Sequence, residues 1–262
     1  MENKHRVLMR RELLKIRTEE QAMRKKAETA KTAHWKKALE KKIPEKVYTG
    51  LEAAFCTGFS LVFQQGRKLI ELTYKKENLK QEHILRDRAV QEEASRSDFR
   101  QMQKNVRSAG MKNMAATTAE GVALGALGVG IPDVVLFLAT LLKGVYETAL
   151  HYGFEYETPE EQYLILRMMS ASLKTGKVWI REDAKVDELL EAELSDVTPE
   201  ILKEQIRKTA SAFAVDMLVL KFIQGMPVVG FLGGAANPVY YRKVMEYVQR
   251  KYRKRYLLKQ LK

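Results

Sequence analysis

One cysteine, Cys56, occurs in the 262 residues. That excludes a disulfide within the chain and any cysteine-rich metal site, and it leads us to expect a reducing compartment. Cys56 sits in the apolar run "AAFCTGF" and reads as a small core residue. Prolines number only six and strand-like alternation is scarce, so sheet architectures are not expected. The opening segment "MENKHRVLMRRELLKIRTEE" lacks the apolar core of a secretory signal, so export by that route is not expected.

Motifs of known chemistry are also missing. The four histidines, His5, His34, His83 and His151, include no i, i+4 pair and no H-E-x-x-H, which excludes a zinc-hydrolase helix. "GFSLV" at Gly58 fails the nucleophile-elbow pattern at its last position. No Walker A loop occurs, and "GALGVG" lacks the dinucleotide spacing. No metal and no cofactor is expected, and no reaction is identified. Among residues with catalytic potential, Asp133, His151 and Asp216 stand out. The first and last are single acids in apolar helix, and together with His151 they carry the alternative reading of a hydrolase-type enzyme. Asp133 follows Pro132 at a helix start, where a carboxylate serves free N–H groups and the helix dipole. Asp216 lies mid-helix and needs a partner if buried. Lys143 and Lys221 are the nearest apolar-context bases in sequence, and a structural ion pair is preferred to an acid/base dyad.

What is present is charge, unevenly placed. Residues 1–50 carry 15 Lys/Arg against 7 Asp/Glu, and residues 239–262 carry 9 against 1, so each end is net +8. The middle, 51–238, is net −3. Cationic ends on a near-neutral body point to polyanion contact, through anionic lipid or nucleic acid. Segment 182–204 has nine acids against two bases. It reads as an acidic surface helix and an electrostatic partner for the basic ends.

Helix starts are well marked. "TPEE" at Thr158 is a capping box with proline at the first helical position, and "TPEI" at Thr198 repeats its first half. Pro44 in "IPEK" sits where a first turn tolerates it. Thr117 and Glu120 have capping-box spacing as well. The helices expected are 2–41, 44–76, 78–113, 118–129, 132–152, 159–174, 183–195, 199–223, 227–235 and 238–258. The first is basic and poor in large apolar residues beyond Leu14. The fold class is all-α: a mobile basic helix over 1–41, then a single multi-helix bundle over 42–262.

The oddest stretch is "GVALGALGVGIPDVVLFLATLL", 22 residues from Gly121 to Leu142 with one charge, Asp133. Its length would suffice for a membrane span. Against that, Pro132 removes a helical hydrogen bond and Asp133 sits at the centre, where a carboxylate costs roughly 2.5–3.5 kcal/mol. Gly121, Gly125, Gly128 and Gly130 instead suit a helical hairpin whose arms approach closely. "GMPVVGFLGGAANPVYY" is similar in kind, with Pro227, Gly230, Gly234 and Asn237 at its corner.

These stretches carry a resemblance. "HWKKALEKKIPEKV" resembles the N-terminal tryptophan helix and proline-started successor of the EcsC family, bacterial proteins named after one encoded beside an ABC transporter. The Gly-rich run, Asp133 and the "ALHYG" segment ending in Tyr152 and Gly153 are similar to its central motif. "MPVVGFLGGAANPVYYRKVMEYVQRKYRKRYL" is similar to its C-terminal helix pair. The resemblance covers most of 33–257. It implies a helical fold and an accessory link to ABC-transporter subunits, and it supplies no reaction.

The last helix interleaves Tyr240, Tyr241, Tyr247, Tyr252 and Tyr256 with Arg242, Lys243, Arg250, Lys251, Arg253, Lys254 and Arg255. Tyr241, Val244, Val248 and Tyr252 share one face. The bland reading is a core-facing stripe with solvated bases. The functional reading is an interfacial helix, with rings at headgroup depth and the seven bases on lipid phosphates. Nucleic acid would use the same bases, but no RNP, zinc-finger or helix-turn-helix signature accompanies them. The function expected is therefore a non-enzymatic, peripheral membrane-associated or lipid-binding protein of the cytoplasmic face.

Overall fold

Three proline signals open helices where the sequence places them. Thr158 accepts a hydrogen bond from the Glu161 N–H at 3.2 Å, with Pro159 first in the helix. Thr198 receives the Ile201 N–H in the same way, ahead of Pro199. Pro44 stands just before a helix beginning at Glu45. The computed structural model describes residues 4–29, 44–63, 76–93, 100–104, 132–192, 195–223 and 236–262.

Within these lie α1 (Lys4–Thr29), α2 (Glu45–Leu61), α3 (Lys76–Glu93), α4 (Pro132–His151), α5 (Pro159–Ser172), α6 (Gly176–Glu191), α7 (Pro199–Ile223) and α8 (Ala236–Leu261). No strand occurs among the described residues. The fold is all-α, as expected. α8 is the central post, packed against α1, α4, α5 and α6. α7 lies on α2 and α5, and α4 bridges α2, α3 and α8.

The core is aromatic on one side. Phe55 and Phe59 of α2 and Phe137 of α4 all meet the Phe213 ring of α7, at centroid distances of 5.4, 5.8 and 6.2 Å. Gly58 lets α2 approach α4 closely, since a Cβ there would stand 2.8 Å from Leu138 Cδ1. Gly144 does the same for α4 and α8, where a Cβ would meet the Tyr241 hydroxyl. The tryptophan of α6, Trp179, is buried.

The structure bears on four sequence expectations. First, the argument against a membrane span over 121–142 holds for its second half. Val134, Val135, Phe137, Leu138, Leu141 and Leu142 of α4 are buried by protein. No described helix is long and apolar enough to cross a membrane. Second, α6 begins at Gly176, seven residues before the expected start, and ends at Glu191. The acids mark only the second half of this helix in the sequence, and residues 195–198 form a non-helical link. Third, α1 is docked rather than mobile. His5, Met9, Glu12, Ile16 and Glu20 recur at helical spacing on its buried face. The expected division at 41/42 is therefore no division in packing: α1 contacts α8, α6 and α3. Fourth, the expected helices 118–129 and 227–235, residues 2–3 and 30–41 of the first, 64–75 of the second, 94–99 and 105–113 of the third, and the Thr117–Glu120 cap lie outside the described residues.

Candidate functional site

The basic helix α8 binds anions, and they are carboxylates of its own chain. Five helices send one: α1, α3, α5, α6 and α7. Lys243 Nζ meets Asp216 of α7 at 3.1 Å. Arg253 reaches Glu12 of α1 at 2.8 Å, and Arg255 reaches Glu161 of α5 at 2.7 Å. The hydroxyl of Tyr252 donates to the same Glu161 at 2.6 Å, and that of Tyr256 donates to Asp87 of α3 at 2.6 Å. Glu161 is the last residue of the sequence-read capping box, yet its carboxylate serves α8.

The densest point is Lys251, whose side chain has 0% exposure. Its ammonium lies 2.8 Å from Glu20 of α1, 2.7 Å from Asp183 and 2.6 Å from Asp187 of α6. Lys254 adds contacts to Glu20 at 2.6 Å and Asp187 at 2.9 Å. Arg24 of α1 closes the cluster on Asp183 and Asp187, and the Tyr247 hydroxyl donates to Asp183 at 3.0 Å. Three carboxylates thus face three cations across three helices. Burial alone would raise the Asp183 carboxyl. The Lys251 charge and hydrogen bonds from Lys251, Arg24 and Tyr247 outweigh it and hold that carboxyl below its usual range. Burial opposes the charge on Lys251 too, and Asp183, Glu20 and Asp187 together raise it above its ordinary value. The pairing of the acidic segment with the basic ends, expected from sequence, is realised here.

The interfacial reading of α8 is corrected by this geometry. Tyr240, Tyr241, Tyr247, Tyr252 and Tyr256 are all buried. Lys251 and Lys254 are buried as well, and Lys243, Arg253 and Arg255 are engaged with Asp216, Glu12 and Glu161. Of the seven proposed bases only Arg242 is exposed, with Arg250 half-buried. The core-facing stripe Tyr241, Val244, Val248 and Tyr252 is as the bland reading had it. The bases are not solvated, because the core that receives the stripe also carries the acids.

Of the catalytic candidates, Asp216 and His151 do not converge. Asp216 pairs with Lys243 near one end of α8, and the side chain of Lys221 lies outside the described residues. His151 closes α4, where its carbonyl contacts His83 Nδ1 at 3.0 Å and His83 packs edge-on against Tyr256. Lys243 and Tyr256 are thirteen residues apart, about 20 Å along the helix, so one cleft cannot serve both groups. Asp133 is the second residue of α4, and its side chain lies outside the described residues. No cluster of three or more metal-ligating side chains occurs among the described residues.

The family-motif residues divide in the same way. Gly153 has φ +75°, and the His83 ring lies where its Cβ would be. Tyr152 is buried, tilted against Tyr256 at 5.9 Å. Pro132 opens α4 and Asn237 is second in α8. Gly121, Gly125, Gly128, Gly130, Pro227, Gly230 and Gly234 lie outside the described residues.

His151 supplies a pH prediction. Burial, then the nearby Arg86 and His83 charges, push the imidazole down to about 4, with Glu82 opposing. Its Nδ1 is buried with no hydrogen-bond partner. Above the unfolded value, about 6.5, both states are neutral and pH has no effect through this group. As pH falls from 6.5 towards 4, only the unfolded state takes the proton, so stability drops. We expect a loss of roughly 2–3 kcal/mol between pH 7 and 4.5. Urea denaturation at both pH values checks this, and His151→Gln should remove most of the slope.

A surface that does present positive charge is the outer face of α1. Seven of its bases are exposed: Lys4, Arg6, Arg10, Arg11, Arg17, Lys25 and Lys26. Only Glu19 and Glu28 are exposed acids there. Val7 and Leu14 lie at the centre of this face, 49% and 64% exposed. They are one heptad apart, about 10 Å along the axis. By helical periodicity Arg10 and Arg17 flank them on one side and Lys4 and Arg11 on the other.

The sequence model of the EcsC protein family matches residues 9–257, nearly the whole chain and most of α1. The chain belongs to the EcsC family. No curated protein and no solved structure matches it. Family membership names the fold's lineage, and the side chains of α1 and α8 must carry the functional argument. For this EcsC-family protein the sequence reading gave both cationic ends polyanion contact but did not single out the outer face of α1. Its signal was the heptad pair Val7 and Leu14 among bases, on a helix whose opposite face already held Met9, Leu13 and Ile16.

Proposed function

We propose that the protein is a non-catalytic, peripheral membrane protein that lies against the anionic cytoplasmic leaflet through the outer face of α1. The observation that carries this reading is the exposed Val7–Leu14 pair amid seven exposed bases and two exposed acids. Each base held near an anionic leaflet contributes about 1 kcal/mol, and the two apolar side chains add shallow insertion. The family resemblance adds ABC-transporter subunits as partners, which the same docking would bring within reach at the bilayer.

Sedimentation with phosphatidylglycerol-rich vesicles across a salt series tests the reading. Binding should be strong at low salt, fall as salt screens the charges, and be weak on phosphatidylcholine alone. Arg11→Glu with Lys25→Glu should weaken it at least tenfold, since reversing two charges changes the net charge by about four units, at roughly 1 kcal/mol each. Absence of vesicle binding at low salt would sink the proposal. Retention on duplex DNA without vesicle binding would transfer it to nucleic acid.

A further inference from the structure

α1 and the end of α8 run past each other, tied by Arg6 donating to the Leu261 carbonyl at 2.9 Å. Between them opens a groove of about 700 Å³, within the roughly 300–1,000 Å³ of small-molecule sites. Its floor is apolar, built from Leu13 and Leu14 of α1 and Leu258 and Leu261 of α8. Its rim is cationic. Arg10 and Arg17 stand two turns apart on the α1 lip, and Lys262 lies across from them. Glu191 is the one acid in the lining, and its backbone carbonyl receives Lys262 Nζ at 3.4 Å.

An apolar trough under a basic lip fits an amphiphile with an anionic head. A polyanion without apolar groups would leave the leucines uncovered, and a neutral acyl compound would leave Arg17 without a counter-charge. Leu14 belongs both to this floor and to the outer face of α1. A chain can therefore pass from a bilayer at that face into the groove without crossing water.

We infer that this groove holds one acyl chain of an anionic phospholipid, with its phosphate at Arg10 and Arg17. The inference rests on the membrane-surface reading and adds a stoichiometric lipid site to it. Once seated, the lipid lies across the α1–α8 seam and ties the surface helix to the central post of the fold.

Titration calorimetry on the full chain tests this, with dihexanoylphosphatidylglycerol below its micelle concentration as probe. The expected result is saturable binding of one lipid per chain. Dihexanoylphosphatidylcholine should bind at least tenfold more weakly. Leu261→Trp, which fills the groove, and Arg17→Glu, which reverses its lip, should each weaken binding at least tenfold while the melting temperature holds. Arg17 is exposed, so its variant keeps the test valid even if the tryptophan disturbs packing. No saturable binding, or binding unchanged in both variants, would overturn the groove. Sedimentation of the same samples with vesicles separates the two readings. If vesicle binding persists while the soluble lipid is not taken up, the groove alone falls; if both are absent, the surface reading falls with it.

Discussion

Lys251→Met should lower the free energy of unfolding by about 3–5 kcal/mol, enough to unfold a marginal domain outright. The methionine fills similar volume, so packing loss is minor. What remains is Glu20, Asp183 and Asp187 around a vanished charge, all three within 2.8 Å of the ammonium in the native protein. Lys254 and Arg24 still face them, but neither occupies the centre. Removing one partner from a buried cluster leaves the others desolvated and uncompensated, which costs more than the pair contributes when intact. Urea denaturation followed by circular dichroism gives the number. Lys251→Met with Asp183→Asn should recover at least 1 kcal/mol relative to the sum of the two single changes, because they share one interaction. A Lys251→Met protein within 1 kcal/mol of wild type would mean the cluster is solvated in solution.

Gly153→Ala should cost about 2–5 kcal/mol, far above the fraction of a kcal/mol typical of surface changes. Two causes add. The residue sits at φ +75°, where an L side chain costs about 1–2 kcal/mol. Its Cβ would also fall within the His83 ring, and that ring is pinned by the His151 carbonyl at 3.0 Å and by Tyr256. Overpacking of this kind costs about 1–3 kcal/mol. The causes separate in a His83→Ala background, where only the backbone part should remain. Thermal melting of the four proteins measures this. Equal costs of Gly153→Ala in both backgrounds would remove the ring from the account.

Most of the architecture was legible, and for identifiable reasons. α4, α5 and α7 begin at the residues expected, because proline and threonine act on their own backbone and need no tertiary partner. α8 was found to within a few residues, and its tyrosine–valine stripe was correctly assigned a buried face as one of two readings. The start of α6 was missed because Gly176 at φ +58° does not advertise a helix, while the acids downstream do. The headgroup-contacting bases were read on α8, whose charges the fold pairs internally. Seven bases in one helix look like a surface when considered alone. Their counter-charges, Glu12, Glu20, Glu161, Asp183 and Asp216, are scattered over four helices, and only the fold gathers them. Conversely, α1 looked like a free basic arm because its apolar residues are few. Periodicity alone places Met9, Glu12, Ile16 and Glu20 together, but a carboxylate at two of those positions disguises a buried face. Lys251 and Arg253 are what make those glutamates buriable.

The central claim is that the charge of α8 is satisfied inside the molecule and that α1 is what meets an anionic bilayer. A polarity-sensitive fluorophore at residue 14 tests it most directly, attached through Leu14→Cys in a Cys56→Ser background. A second protein carries the probe at Ile201 of α7, which is also exposed, at 45%, but flanked by Glu200 and Glu204. On adding phosphatidylglycerol-rich vesicles at low salt, emission from residue 14 should shift to the blue and that from residue 201 should not. A protein that sediments with the vesicles while residue 14 stays in water, or while residue 201 enters the bilayer, would contradict the account.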